Sequence, residues 1–112
     1  MSDATRIAAL NDAFRHKLGE PGSGKHYVTD GVSSLGREFV MKAIAAVRGF
    51  TAFTADNDPH HEHDFGSLTI DGEKVFWKID YYDRRDPDLG SEDPSDPHAT
   101  ERVMTIMLAE EY

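Results

Sequence analysis

The sequence contains no cysteine. That removes a disulfide framework, a thiol nucleophile and a thiolate metal site together. It also holds no apolar run near the roughly 20 residues that cross a bilayer. The opening Met1-Ser2-Asp3-Ala4-Thr5-Arg6 has neither the basic start nor the apolar stretch of a secretory signal, so the expectation is a cytoplasmic protein. Basic side chains are scarce, with 12 Lys and Arg against 21 Asp and Glu and a formal charge of −9. Phosphate binding draws on clustered cations, and without a cluster, direct binding to DNA, RNA or an anionic membrane is not expected. There is no Gly-x-Ser-x-Gly elbow and no phosphate-binding loop. Gly22-Ser23-Gly24-Lys25 lacks the earlier glycine, and the segment after it is strand-like rather than helical.

What is present suits one folded unit spanning residues 1–112. At 112 residues the chain can bury a single core, and an aromatic content of 10% argues against disorder. The negative charge is local. Residues 1–50 carry seven basic and five acidic side chains, residues 51–100 four basic and thirteen acidic. An acidic surface of this kind suits a basic protein partner or a bound cation. The plainer alternative is that it keeps the protein soluble.

Residues 3–18 read as a helix, with Ile7, Leu10, Phe14 and Leu18 on one stripe. Ser2 or Asp3 caps it, and Gly19 with Pro21 ends it before the connector Pro21-Gly22-Ser23-Gly24. Lys25–Thr29 reads as a short strand ending at the Asp30-Gly31 turn. A second helix is predicted over 34–48, capped by Ser33 or Ser34, with Leu35, Phe39 (or Val40), Ile44 and Val47 as its apolar face and Gly49 at its end. Residues 51–64 have no periodicity, and a loop of that length is more often functional. Phe65–Ile70 and Lys74–Tyr82, joined by Asp71-Gly72, form a hairpin. Val75, Trp77, Ile79 and Tyr81 share its core face, and Phe76, Lys78, Asp80 and Tyr82 share the other. A second acidic loop, 83–96, precedes a last helix that starts at Pro97 with Asp96 as its cap and carries Val103, Ile106 and Met107 on one stripe. The predicted fold is α+β: a small antiparallel sheet of about three strands around a central hairpin, helices on one face, order αβαββα.

The stretch with the most chemistry is Asp56-x-Asp58-x-His60-His61-Glu62-His63-Asp64, where an extended backbone would put His61 and His63 on the same side. Imidazole and carboxylate are ligands for zinc, nickel, iron or manganese, and His63, Asp64, Asp58 and Asp80 are the metal candidates. An EF-hand frame starting at Asp56 fails, because His61 stands where glycine is needed and Ser67 where glutamate is needed. Asp64-Phe65-Gly66 matches a kinase tripeptide in isolation from every other kinase signature. Asp80 and Asp83 with His63 have the residue types for acid–base work, but no spacing demands it.

Phe50-Thr51-Ala52-Phe53-Thr54-Ala55-Asp56-Asn57-Asp58-Pro59, then Glu62-His63-Asp64-Phe65-Gly66, Phe76-Trp77-Lys78-Ile79-Asp80-Tyr81-Tyr82-Asp83 and Val103–Ala109 run through the chain, after an opening Ile7-x-x-Leu10-Asn11-Asp12-x-Phe14. Over nearly the whole domain these strings resemble an uncharacterised family of small acidic bacterial proteins. The resemblance implies that Asn57-Asp58-Pro59, Glu62-His63-Asp64 and Lys78–Asp83 are hallmark regions. It supplies no reaction, cofactor or catalytic residue, and His60 and His61 fall outside the pattern. It associates the chain with accessory or inhibitory roles on chromosomes and mobile elements.

The functional expectation is a non-enzymatic protein-interaction module that uses Asp56, Asp58, Glu62, Asp64, Asp80, Asp83, Asp86 and Asp88 with Phe76 and Tyr82. The expected partner is a basic protein surface. If that surface normally binds nucleic acid, the carboxylates stand in for phosphates, as in small acidic anti-CRISPR and anti-restriction proteins, which this chain matches in size and charge only. The alternative is a metal-binding protein or metal-dependent enzyme centred on the 56–64 loop, with a divalent metal as its only expected cofactor. A homodimer through Phe76 and Tyr82 or an edge strand is a third reading.

Overall fold

The computed structural model describes residues 3–21 and 24–112. Ser2 as an alternative cap and the Gly22-Ser23 part of the first connector lie outside them. The elements are α1 (Asp3–His16), β1 (Lys25–Val28), α2 (Asp30–Ser34), α3 (Arg37–Arg48), β2 (Phe65–Ile70), β3 (Glu73–Asp83) and β4 (Thr100–Leu108), closed by a 3₁₀ turn at Ala109–Glu111. The fold is mixed α and β, with four strands rather than about three. The sheet order is β1-β4-β3-β2. The β2–β3 and β3–β4 pairs are antiparallel, but β1 runs parallel to β4, so the sheet is mixed rather than purely antiparallel.

The hairpin forms as its turn residues require. Asp71 (φ 51°) and Gly72 (φ 82°) both sit in the left-handed region, the two-residue geometry that matches the twist of the flanking strands. The alternation along β3 also holds: Val75, Trp77 and Ile79 are buried on one face. Trp77 is fully buried, with Phe50 edge-on at 5.5 Å. Gly66 sits directly opposite it, where a Cβ would come 2.2 Å from the indole nitrogen. That cross-strand site therefore accepts no side chain unless the core moves.

Two helix expectations are corrected. The predicted helix over 34–48 is two helices broken at Gly36, whose φ of 102° belongs to glycine. Gly36 takes the capping position, and the Ser34 hydroxyl donates to the Gly31 carbonyl instead. The predicted helix from Pro97 is strand β4. Thr100, Arg102, Met104, Ile106 and Leu108 point to the core, alternating with Glu101, Val103, Thr105 and Met107. The run satisfies both periods. Nine consecutive residue pairs with β3 decide it, because a strand there fills the ladder between β3 and β1. Asp96 does cap, but it caps a turn, accepting from His98 N at 2.9 Å.

All three helices lie on one side. Leu18, Val32, Phe39, Ala43 and Val47 pack with Val75, Trp77, Ile79, Met104 and Ile106 into one core. Among the described residues no helix covers the other side of the sheet, and none is long and apolar enough to cross a membrane.

Candidate functional site

Three surfaces could carry function: the 51–64 loop over the helix side, the 84–99 loop at one end of the sheet, and the uncovered sheet face. Each is built by different local chemistry.

The 51–64 loop is stitched down by its own polar groups. Asp58 is 3% exposed, and its Oδ1 accepts from the backbone N–H of Glu62 and His63 at 2.9 and 3.1 Å. His61 and His63 adopt positive φ (59° and 56°) to make this turn. The His63 ring stacks flat on Phe53 at 3.9 Å, with its Nδ1 2.9 Å from Asp12 Oδ1 and its Nε2 3.7 Å from Asp58 Oδ2. Behind it runs a network through the core. Tyr81 donates to Glu62 Oε1, Asn11 Nδ2 donates to the Tyr81 oxygen and to the Glu62 carbonyl, and Arg102 Nε donates to Asn11 Oδ1 at 2.7 Å. Arg15, 2% exposed, donates to the Val47 and Arg48 carbonyls at the end of α3 and to Asp12. A cation there offsets the negative end of the helix.

Burial shifts the charges in this network. Asp64, half-buried beside Glu62 and Asp58, is held above the ordinary carboxylate range, chiefly by desolvation. Desolvation also raises the Tyr81 hydroxyl and lowers the Arg102 guanidinium. Chemically, the network locks the loop onto α1, β3 and β4: its hydroxyl is already donating and its imidazole lies between two carboxylates.

The four metal candidates do not converge. His63 and Asp58 approach each other, with Asp64 next in the chain. Asp80, however, is on the opposite face of β3 and pairs with Lys78 at 2.8 Å. Among the described residues no three His, Asp or Glu side chains are gathered as a metal site. His60 and His61 are exposed at the loop surface.

The proposed interaction residues divide in the same way. Asp58 is interior and Glu62 is spent on Tyr81. Asp56 is exposed. Asp83 accepts from Arg85 N at 2.7 Å. Asp86 caps the turn at Asp88 N, while Asp88 and Glu92 are exposed. In the 84–99 loop Asp86, Asp88, Glu92, Asp93 and Asp96 form no ion pair among the described residues, whereas Arg84 and Arg85 pair with Glu101 and Asp83. This loop is ordered. Gly90 bridges Tyr82, Asp83 N donates to the Leu89 carbonyl, Ser91 N to the Tyr81 carbonyl, and Arg84 N to the Ala99 carbonyl.

Next to it, the uncovered face carries Phe65, Phe76 and Tyr112 as a triad with ring centroids 5.2–5.8 Å apart. Tyr82 and Phe76 are partly exposed there, and Tyr27 and Tyr112 are 58% and 75% exposed. Ion pairs Lys78–Asp80 and Lys25–Glu101 thread between the rings.

Sequence reasoning missed Asn11, Arg15 and Arg102. The available signal was that Asn11 and Arg15 follow Ile7 at steps of four, polar residues on a buried helix face.

A family model described as a protein of unknown function (DUF3768) matches residues 28–111. No curated protein and no solved structure matches the chain. The chain therefore belongs to the DUF3768 family, and the match spans every element from the end of β1 through the 3₁₀ turn.

Proposed function

We propose that this DUF3768 domain is a protein-interaction module whose ordered acidic loop, residues 84–99, docks on a basic surface of another protein. One observation carries the reading: Asp86, Asp88, Glu92 and Asp93 are exposed and have no cationic partner among the described residues, on a loop already fixed by backbone bonds to β3 and the start of β4. A loop ordered before binding pays little entropy on association. Unpaired carboxylates speed encounter with a cationic partner. Phe76 and Tyr82 on the adjoining sheet face supply the aromatic anchors that interfaces favour. Where the partner's basic surface normally binds nucleic acid, the carboxylates take the place of phosphates and the domain acts as an inhibitor by charge mimicry.

The test is a pull-down with the intact protein at low and at moderate ionic strength. Binding is expected to weaken as salt screens the interface, and double-stranded DNA is expected to displace a mimicked partner. Asp88→Asn with Glu92→Gln removes two charges whose side chains make no internal hydrogen bond, so it is expected to weaken capture without loss of fold. Capture that is indifferent to salt and to this variant contradicts the reading.

A further inference from the structure

Arg102 is 8% exposed. Its Nε donates to Asn11, its Nη2 to the Pro94 carbonyl, and its guanidinium lies over the Tyr81 ring at 5.3 Å. Among the described residues it forms no ion pair with a carboxylate. Glu62 acts on it only through space, without an ion pair, and already accepts from the Tyr81 hydroxyl. Buried charges are ordinarily paired, and an arginine left without a counterion is an expensive feature to keep.

Arg102 lines a cavity of about 290 Å³ between α1 and the start of β4. Leu10, Phe14 and Pro97 give it apolar walls, and Arg84 and Glu101 also line it. Arg84 Nη1 sits 3.0 Å from Glu101 Oε2 and its Nη2 donates to the Pro97 and Thr100 carbonyls, which fixes the guanidinium at the cavity wall. Lys25 Nζ is 3.8 Å from the other oxygen of the Glu101 carboxylate. Two guanidinium groups against one carboxylate make the lining net positive, on a chain whose formal charge is −9. The volume is at the lower end for ligand sites. Apolar walls around one undercompensated guanidinium favour an organic anion over a bare inorganic one.

We propose that this cavity binds a small organic carboxylate with an apolar body, its carboxylate facing Arg102 and Arg84 and its body against Leu10, Phe14 and Pro97. The site stands apart from the acidic docking loop and does not depend on that reading.

The experiment is an NMR titration of the full chain with benzoate and 3-phenylpropionate, with benzamide and inorganic phosphate run alongside. The carboxylates are expected to give saturable amide shifts confined to Gly24, Thr100, Glu101 and Arg102. Benzamide is expected to bind about tenfold more weakly for want of the charge-assisted bond, and phosphate at least as weakly for want of the apolar contact. Arg102→Gln is expected to abolish the shifts. Because Arg102 also anchors Asn11, Arg84→Gln serves as the variant that leaves the buried network intact, with an expected loss of about threefold. Absence of saturable shifts, equal binding of benzamide or of phosphate, or an Arg84→Gln titration identical to wild type overturns the proposal.

Discussion

Asn11 holds three groups with one amide, donating to Tyr81 and to the Glu62 carbonyl and accepting from Arg102, and through Tyr81 it reaches the Glu62 carboxylate. Asn11→Ala leaves a buried guanidinium N–H and a carbonyl without partners and opens a small void. The expected cost is about 2–4 kcal/mol, read as a lower urea midpoint. Asp64 works in the other direction. Its carboxyl is raised in the folded state, so between the ordinary carboxylate value and that raised value the native protein binds more protons than the unfolded chain. Stability from this group is therefore lost as pH rises through that window. Asp64→Asn is expected to be more stable than wild type at neutral pH, by about 1 kcal/mol or less because solvent reaches the side chain. The advantage should shrink near pH 4, and thermal melts at the two pH values check the sign. None of this was readable from the residues in order. An Asp that ties down its own loop and an Asp that faces solvent look alike until the chain closes on them, which is why Asp58 stood beside Asp56 and Asp88 as a surface candidate.

At the scale of elements, the hairpin and the core face of β3 were legible because turn chemistry and period-two alternation agree there. Strand β4 was not. Val103, Met104, Ile106, Met107 and Leu108 fill a helical stripe as readily as two sheet faces, and the choice is made by β3 and β1, which offer backbone partners on both sides. The break at Gly36 was equally hidden, since Leu35 and Phe39 fit one continuous helix. What holds α2 in place is the far end of the chain: the Glu111 carboxylate accepts from the Thr29 hydroxyl, Gly31 N and Leu108 N. Those bonds lower its pKa, so their support is present above the ordinary carboxylate range and fades as pH falls through the depressed value. Glu111→Gln is expected to speed amide hydrogen exchange across Asp30–Leu35 while the β3–β4 ladder stays protected. Unchanged exchange in α2 contradicts that assignment.

Taken whole, the molecule has two unlike sides. The helix side is closed by a buried polar network that ties the 51–64 loop to α1. The sheet side is open, with aromatic rings in the middle and an ordered acidic loop at one end. Among the described residues, lysines and arginines pair with Asp12, Asp71, Asp80, Asp83 and Glu101, yet leave the run from Asp86 to Asp96 without ion pairs. The local excess of acid counted from the sequence thus stays on the surface in the 84–99 loop, whereas in the 51–64 loop Asp58 and Glu62 are tied into internal hydrogen bonds and, of its carboxylates, Asp56 alone is exposed. The most direct measurement of this division is amide hydrogen exchange on the purified complex with a salt-sensitive partner, compared with the free protein. Slower exchange across residues 84–99 and the adjoining end of β3, with α1 and α3 unchanged, is the predicted footprint. Protection confined to α1, α3 or the 51–64 loop would place the docking surface on the helix side and contradict the account.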